Sequence, residues 1–416
     1  MLKKSILLMI LVGLTTTSIF GQLQVDAEIR PRFEYRHGFK SLFPDHTDPA
    51  AFISQRTRLN VAYGMDNFQF YVSTQDVRVW GDVPQLNKAD NNGLSLHEAW
   101  AKIGLNKQWA LKLGRQEILY DDSRIFGNVG WAQQARSHDA ALLQFRNAEV
   151  ALDIGLAFNQ DGENLTGTTL NTKTYKAFQY ARLYKHWSSF SSSFLFLNNG
   201  LQYIDEVDAT NNDTRYSHTV GTHLKYDGQL SMSTNLFYQF GKDVANRKLN
   251  AFLLSIDAKY QVSEKFNLSF GTQYLSGNDS LNPTGNENKA FNPYYGTNHK
   301  FNGFMDYFYV GNHLNSIGLC DIYMSANVTL NKTSNLLVAC HNFSAAGDVS
   351  KPQLGNEIDF VYTKKIQEYV VLKAGYSHLF EANGMETLKN NFDNNMNNWG
   401  WVMIVIKPTL FKHSTN

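Results

Sequence analysis

The chain has 416 residues, of which 43% are hydrophobic and 13% aromatic, and its 38 basic residues nearly balance 37 acidic ones. A net charge near zero gives no bulk attraction to nucleic acid, so we expect no partner of that class. Two cysteines, Cys320 and Cys340, are too few for a disulfide framework, and the sequence leaves open whether they are bonded.

The first 21 residues have the pattern of a secretory signal peptide. Met1–Lys4 is basic, and the apolar stretch Ser5–Thr15 is too short for a transmembrane helix, which needs about 20 residues. Gly21 offers a small residue for cleavage before Gln22, although an uncleaved anchor is the alternative. We therefore predict a signal peptide over residues 1–21 and a single exported domain over residues 22–416.

The first predicted strand, Leu23–Arg36, alternates between apolar and polar residues. Side chains of a strand point alternately to its two faces, so one face of this segment is apolar and the other almost fully charged. A barrel wall with lipid outside and a water-filled lumen inside requires that pattern. The charged face carries Asp26, Glu28, Arg30, Arg32, Glu34 and Arg36.

Further alternating segments follow along the rest of the chain, separated by clusters of Asn, Asp, Gly and Ser. Together with the first strand they number about 18 or 19, and short links alternate with long polar ones. The predicted fold is therefore an all-β, transmembrane, antiparallel up-and-down β-barrel of about 18 strands, with short periplasmic turns and long extracellular loops. The segments are 53–63, 67–79, 95–104, 108–117, 137–146, 150–158, 175–186, 188–197, 215–226, 230–240, 252–260, 266–274, 302–311, 316–330, 333–343, 355–363, 367–378 and 398–407.

The last segment, 398–407, is predicted to close the barrel. Both of its faces are apolar, with Trp399, Trp401 and Met403 on one and Val402 and Ile404 on the other. It therefore fits the expectation of a polar lumen poorly.

Arginine is concentrated in the first third of the chain, since ten of the 13 arginines precede residue 150. Arg56 and Arg58 share a strand face with Ser54 and should point inward, and Arg78 lies in a charged segment with Asp76 and Asp82. Guanidinium groups match the oxygens of carboxylates, so an inner ladder of them would attract anions. The alternative is a structural network, because Asp26, Glu28, Glu34 and Glu98 occupy the same faces.

A second cluster mixes charges and aromatics between two strands. It comprises Gly114–Gln116, Tyr120–Arg124, Trp131 and Arg136–Ala140. Asp121 and Asp122 are adjacent and lack the spacing of a calcium loop, so we predict no metal site and no cofactor here. A charge-paired loop folded into the pore is the favoured interpretation.

A third cluster, Phe291–Phe308, interleaves aromatic residues with Asn, His and Asp. Such a surface could contact sugars, because aromatic rings stack on sugar faces and amides bind hydroxyls. An aromatic belt at the membrane interface is the alternative.

These clusters, with His299–Asp306, resemble the alginate export porin family in the form common in Bacteroidota. The resemblance covers nearly the whole mature chain. It implies an 18-stranded outer-membrane barrel with an arginine-lined lumen that conducts an anionic polysaccharide. By position, the lumen arginines would be Arg30, Arg32, Arg56, Arg58, Arg115, Arg124 and Arg136, and their acidic partners would be Asp122, Asp139 and Asp306.

The leading functional prediction is a passive channel in the outer membrane of a Gram-negative cell for anionic solutes, above all a uronate-type saccharide. Outer-membrane lipid and periplasmic export or uptake components are the expected partners. The alternative is a less selective nutrient porin whose charges hold its loops. Catalysis is not expected: there is no Gly-x-Ser-x-Gly motif, and the neighbours His341, Asn342 and Ser344 are split between the faces of one strand.

Overall fold

The computed structural model describes residues 21–86, 93–171, 174–297 and 299–414. The predicted signal peptide lies outside the described residues, apart from Gly21, which begins the first strand. Among the described residues, no helix is both long and apolar enough to span a membrane.

Eighteen strands of the described residues form one antiparallel sheet that closes on itself. They are β1 (Gly21–His37), β2 (Ala50–Met65), β3 (Phe68–Val79), β4 (Ser95–Gly104), β5 (Trp109–Gln116), β6 (His138–Arg146), β7 (Val150–Phe158), β8 (Tyr175–Trp187), β9 (Phe190–Tyr203), β10 (Asp213–Tyr226), β11 (Leu230–Lys242), β12 (Lys248–Ser263), β13 (Phe266–Leu275), β14 (Leu319–Asn331), β15 (Ser334–Ser344), β16 (Gln353–Gln367), β17 (Val370–Glu381) and β18 (Asn397–Ile406).

Closure is made by β1, which pairs with β2 along one edge and with β18 along the other. Each strand otherwise pairs with its neighbours in the chain, and short turns at the periplasmic end alternate with longer loops at the outer end. The predicted up-and-down barrel of 18 strands is confirmed. The predicted strand over 302–311 is wrong, because that segment belongs to the loop between β13 and β14.

The regular alternation of β11 shows how the sequence specifies the two faces of the wall. Leu230, Met232 and Leu236 are exposed on the outside, whereas Asn235 and Gln239 are buried on the inside. Outward apolar side chains suit lipid, and inward polar side chains can bond to one another or to material in the lumen.

The closing strand β18 departs from this pattern because its inner face is covered by protein. Trp399, Trp401 and Met403 are buried there against residues of the loops that enter the barrel, while Val402 and Ile404 are exposed outside. After Pro408, which has no N–H to donate to a ladder, β19 (Thr409–Ser414) resumes pairing with β1.

The two cysteines are free. Cys320 lies opposite Ser344, whereas Cys340 lies opposite Met324, so the two are several residues apart along the paired strands. A disulfide needs Cα atoms within about 7 Å of each other, which this register does not provide.

Two long loops fold into the barrel and fill much of it. We call residues 117–137, between β5 and β6, the inner loop, and residues 276–318, between β13 and β14, the long loop. Their backbones bond to each other, from Gly127 N to Tyr295 O (2.6 Å) and from Thr297 N to Ser123 O (2.9 Å). The long loop contains a two-residue bridge to β12 (Glu287–Asn288) and a 3-10 turn (Val310–Asn312); a second 3-10 turn (Ala209–Asn211) and α1 (Asn383–Lys389) lie in other outer loops.

Candidate solute path

The arginines of β1 and β2 hold the inner loop by its backbone carbonyls. Arg30 donates to Gly130 O at 2.8 Å, to Trp131 O at 3.2 Å and to Ala132 O at 3.1 Å, and its Nε donates to the Gln133 side chain. A guanidinium offers five N–H donors in a rigid fork, and here one side chain uses them to fix four successive loop residues. We call the inner face of β1 and β2, with Arg30, Arg32 and Arg56, the arginine wall. It therefore also holds the inner loop in place.

The neighbouring arginines combine loop contacts with ion pairs. Arg32 donates to Trp131 O at 2.7 Å and to Glu34 at 2.9 Å, and Glu34 also accepts from Arg36. Arg56 pairs with Glu28 at 2.5 Å and reaches Gln133 O at 3.3 Å. These side chains lie on the inner face, as their strand parity predicts, and Glu28 and Glu34 neutralise part of their charge.

Arg58, Arg78 and Arg115 occupy less enclosed positions. Arg58 donates to the Gln75 side chain at 2.9 Å, and Arg78 pairs with Asp76 at 2.5 Å. Arg115 pairs with Asp139 at 2.8 Å, and both side chains of that pair are exposed, at 40% and 62%. This is one pairing of the kind that the family resemblance implies.

Asp306 and Asp122, the other two carboxylates named by the resemblance, form no side-chain ion pair with a lumen arginine among the described residues. Asp306 lies 4.0 Å from Lys40 and 3.4 Å from His299. Asp122 accepts from Asn235 at 2.7 Å and from the Arg124 backbone N–H at 3.0 Å.

The Arg124 side chain is buried between the two loops. Its guanidinium lies over the Phe301 ring at 3.7 Å and donates to Asn302, while its Nε and Nη2 have no partner among the described residues. Burial lowers the pKa of Arg124 to about 10, so it stays cationic at neutral pH.

Glu357 on β16, three strands from β1 on the side of β18, anchors the long loop. Its Oε1 accepts the backbone N–H groups of Phe304 and Met305, the latter at 2.8 Å. Gly303 makes this approach possible: its φ is +81°, and a Cβ there would lie 2.6 Å from Glu357 Oε1. Beside it on the inner face, His341 Nδ1 lies 3.0 Å from Asp321 Oδ1, which accepts from it. Ser344 lies on the other face of β15, away from this pair.

The aromatic cluster Phe291–Phe308 lies inside the barrel, so its interpretation as a membrane-interface belt is wrong. Phe291 and Tyr294 pack with inner-loop residues, and Met305, Tyr307 and Phe308 pack with Trp399 and Trp401 of β18. These rings fill the lumen because a loop inside a wide barrel must bury apolar surface of its own.

Two cavities flank the inner loop and share Trp131 in their walls. The outer cavity, of about 370 Å³, is bordered by Arg32, Arg36 and Arg78. The inner cavity, of about 420 Å³, is bordered by Arg30, Arg56, Lys300 and Lys373, with Glu28 as the acidic side chain. Trp131 is held by Arg32 at 4.2 Å over its ring and by His299, stacked at 4.0 Å.

A third and larger cavity, of about 1050 Å³, opens at the outer end of β5–β9, and we call it the vestibule. Arg115, Arg136, Tyr175, Tyr294 and Tyr295 contribute to its wall. The Arg136 guanidinium donates to Gly296 O at 2.8 Å. This places the seventh arginine of the resemblance at the mouth of the barrel and not on the β1–β2 wall.

One group of metal-ligating side chains occurs among the described residues: His97, Glu98 and Glu117, whose ligand atoms lie within 4.8 Å of one another. Their atoms are already bonded: His97 to Glu117 at 2.8 Å, Asn128 to Glu117 at 2.8 Å, and the Glu117 N–H to Glu98 at 2.9 Å. The group thus fastens the start of the inner loop to β4.

Sequence reasoning missed several residues of these cavities. Lys300 and Lys373 lie outside the arginine-rich third, and Gln133 carries no charge that would mark it. The signal for Lys373 was its inward parity on β17, where it lies opposite Met403.

The fold and its filled lumen define an outer-membrane β-barrel of the porin type. The solved structures that resemble it include Pseudomonas aeruginosa OccK11 (OpdR), at 13% identity and TM-score 0.63, with 94% of this chain and 96% of that chain covered. Acinetobacter baumannii OccAB4 has 11% identity and TM-score 0.63 over 94% and 98%. Pseudomonas aeruginosa OpdK, solved with vanillate, has 11% identity and TM-score 0.61 over 93% and 98%.

The alginate export family model matches residues 21–401, so the chain belongs to the alginate export family. The predicted family and the outer-membrane location are thereby confirmed. A search of curated proteins found no match.

Proposed function

We propose that this channel passes anionic solutes, and that an acidic, uronate-type polysaccharide or oligosaccharide is its principal cargo. The observation that carries the proposal is the charge of the inner cavity, where four cationic side chains face one carboxylate. Membership of the alginate export family supports the same class of cargo.

The hydrogen bonds of Arg30 do not cancel its attraction for anions. Its acceptors are carbonyl and amide oxygens, which are neutral, so the full positive charge remains at the cavity wall. Lys373 adds a charge with no ion-pair partner among the described residues. An array of fixed positive charges lowers the barrier for anions, and weak contacts in series allow a charged chain to slide.

A less selective nutrient porin is the second candidate, and one observation favours it. Glu34 is shared by Arg32 and Arg36, and Glu28 pairs with Arg56, so part of the arginine wall is electrically compensated. In that case the remaining charges would steer solutes weakly. Catalysis is not part of either proposal.

Reversal potentials across planar bilayers under a KCl gradient test the proposal. We expect the wild-type channel to prefer anions and Lys373→Gln to reduce that preference, because it removes an unpaired inner charge. Lys364→Gln is the matched control, since Lys364 lies on the outward face of the adjacent strand, opposite Leu372. A cation-preferring wild-type channel would overturn the proposal, and equal preference in all three proteins would favour the nutrient porin.

A further inference from the structure

The vestibule has a different chemical character from the two cavities beside the inner loop. Its charged wall residues are Arg115 and Arg136 together with Asp139 and Asp161, so it has no net charge. Asp139 is paired with Arg115, and Asp161 accepts from the Asn171 side chain at 2.8 Å. A cavity balanced in this way does not concentrate simple anions, and any attraction for an acidic ligand is local.

Arg136 provides that local attraction. Its guanidinium donates to the neutral Gly296 O and has no carboxylate partner among the described residues. Burial lowers the pKa of Arg136 below its usual range, and the group still remains protonated at neutral pH because an arginine starts so high. A half-buried guanidinium without a counter-ion is suited to bind a ligand carboxylate through paired N–H donors.

His138 supplies a second polar group that the protein leaves unsatisfied. It is 3% exposed and belongs to the vestibule wall; its Nδ1 lies 3.0 Å from the Tyr175 hydroxyl, and its Nε2 is buried with no partner among the described residues. When Tyr175 donates to Nδ1, the ring proton is on Nε2, which then needs an acceptor. A hydroxyl oxygen of a bound ligand would satisfy this donor.

The remaining wall supplies aromatic rings and amides. Tyr294 and Tyr295 come from the long loop, and Gln160 and Gln202 lie at the outer ends of the strands, where their amides bond to neighbouring protein groups. Aromatic rings can cover the C–H face of a sugar. The cavity volume is at the upper end of the usual range for ligand sites, about 300–1,000 Å³, which leaves room for more than one ring.

We propose that the vestibule is a binding site for an acidic sugar residue within an oligosaccharide. In this site Arg136 holds the carboxylate, His138 donates to a ring hydroxyl, and the tyrosines cover the sugar face. The ligand class rests on the proposed function, but binding here does not require conduction. The site lies at the outer end of the barrel, apart from the arginine wall.

Isothermal titration of the purified full-length barrel in detergent with trigalacturonate tests the site. We expect Arg136→Ala to weaken binding by at least about tenfold, the equivalent of one charge-assisted hydrogen bond. His138→Phe keeps the aromatic packing and should weaken binding by about threefold, because it removes a neutral hydrogen bond. Neutral galactotriose should bind the wild-type protein far more weakly than the acid does. Its affinity should be the same for the wild type and for Arg136→Ala.

The matched control is Arg146→Ala, which removes an arginine from the periplasmic end of β6, the strand that follows Arg136, where Arg146 pairs with Asp153. Its affinity should equal that of the wild type. If all variants bind trigalacturonate equally, or the neutral sugar binds as tightly as the acid, the vestibule site is wrong. An anion-selective channel that does not bind the sugar contradicts this site alone, whereas binding by a cation-selective channel contradicts the proposed function alone.

Discussion

The arginines of the β1–β2 wall and the arginine Arg136 of the vestibule differ in what they bind. On the β1–β2 wall, Arg30, Arg32 and Arg56 are buried and bonded to the inner loop, so most of their donors are occupied. In the vestibule, the Arg136 guanidinium donates to a neutral carbonyl and to no carboxylate among the described residues. Clustering of arginine in sequence therefore marks the place where a loop is seated, while the isolated arginine is the better candidate for direct contact with a ligand.

The difference follows from what each region must enclose. A loop inside the barrel brings backbone carbonyls away from water, and each of them needs a donor. An arginine supplies several donors without needing to lose its charge, so the same residue can satisfy a loop and keep the cavity positive.

The largest expected effect is from Arg30→Ala. Removing it takes the protein donor from the Gly130 and Ala132 carbonyls and leaves the Trp131 carbonyl bonded to Arg32 alone. We expect a loss of about 3 kcal/mol in the free energy of unfolding, the upper range for hydrogen bonds to a charged group. Urea unfolding in detergent, followed by tryptophan fluorescence, measures this loss. Arg30→Lys, which keeps the charge without the fork, should lose most of the same stability. Unchanged unfolding in both variants would show that the inner loop does not depend on this wall.

The next effect is on conductance, through Trp131→Ala. Trp131 separates the outer and inner cavities and is held in place by Arg32 and His299, so its removal should join the cavities and raise single-channel conductance severalfold. Trp109→Ala is the control, because Trp109 packs on Phe145 at the periplasmic end of β5, away from both cavities. Equal conductance in wild type and Trp131→Ala would mean that solute passes elsewhere.

The fold could be predicted because each strand of a membrane barrel has one face toward lipid and one toward the lumen, so apolar and polar residues alternate along it. The same rule produced the false strand at 302–311, whose aromatic residues are buried as a strand's would be. There the backbone is not extended: Asn302, Gly303 and Asp306 all have positive φ. Periodicity reports burial, and a loop packed inside a lumen is buried as well.

The candidate site was harder to predict, because the partners of the arginines are mostly backbone. Every residue has a backbone carbonyl, so the sequence does not mark which carbonyl is a partner. The alternation of β1 could therefore identify Glu28 and Glu34 as partners of the arginines, but not the carbonyls of Gly130 or Ala132. The same limit applies to β18. Its inner face is apolar because loops inside the barrel cover it, and the sequence of the strand does not show those loops. Arg136 stood in the sequence among nine other arginines, and only its surroundings distinguish it.

The smallest effect is expected from Arg115→Ala, which sharpens the contrast with Arg30. Arg115 and Asp139 form an exposed pair, and such pairs contribute less than about 1 kcal/mol to stability. The same urea titration should therefore place Arg115→Ala close to wild type. Because Asp139 already compensates Arg115, trigalacturonate binding should also fall less than in Arg136→Ala. A stability loss as large as that of Arg30→Ala would contradict the division between loop-holding and cavity-facing arginines, since it would make an exposed pair as important as the buried wall.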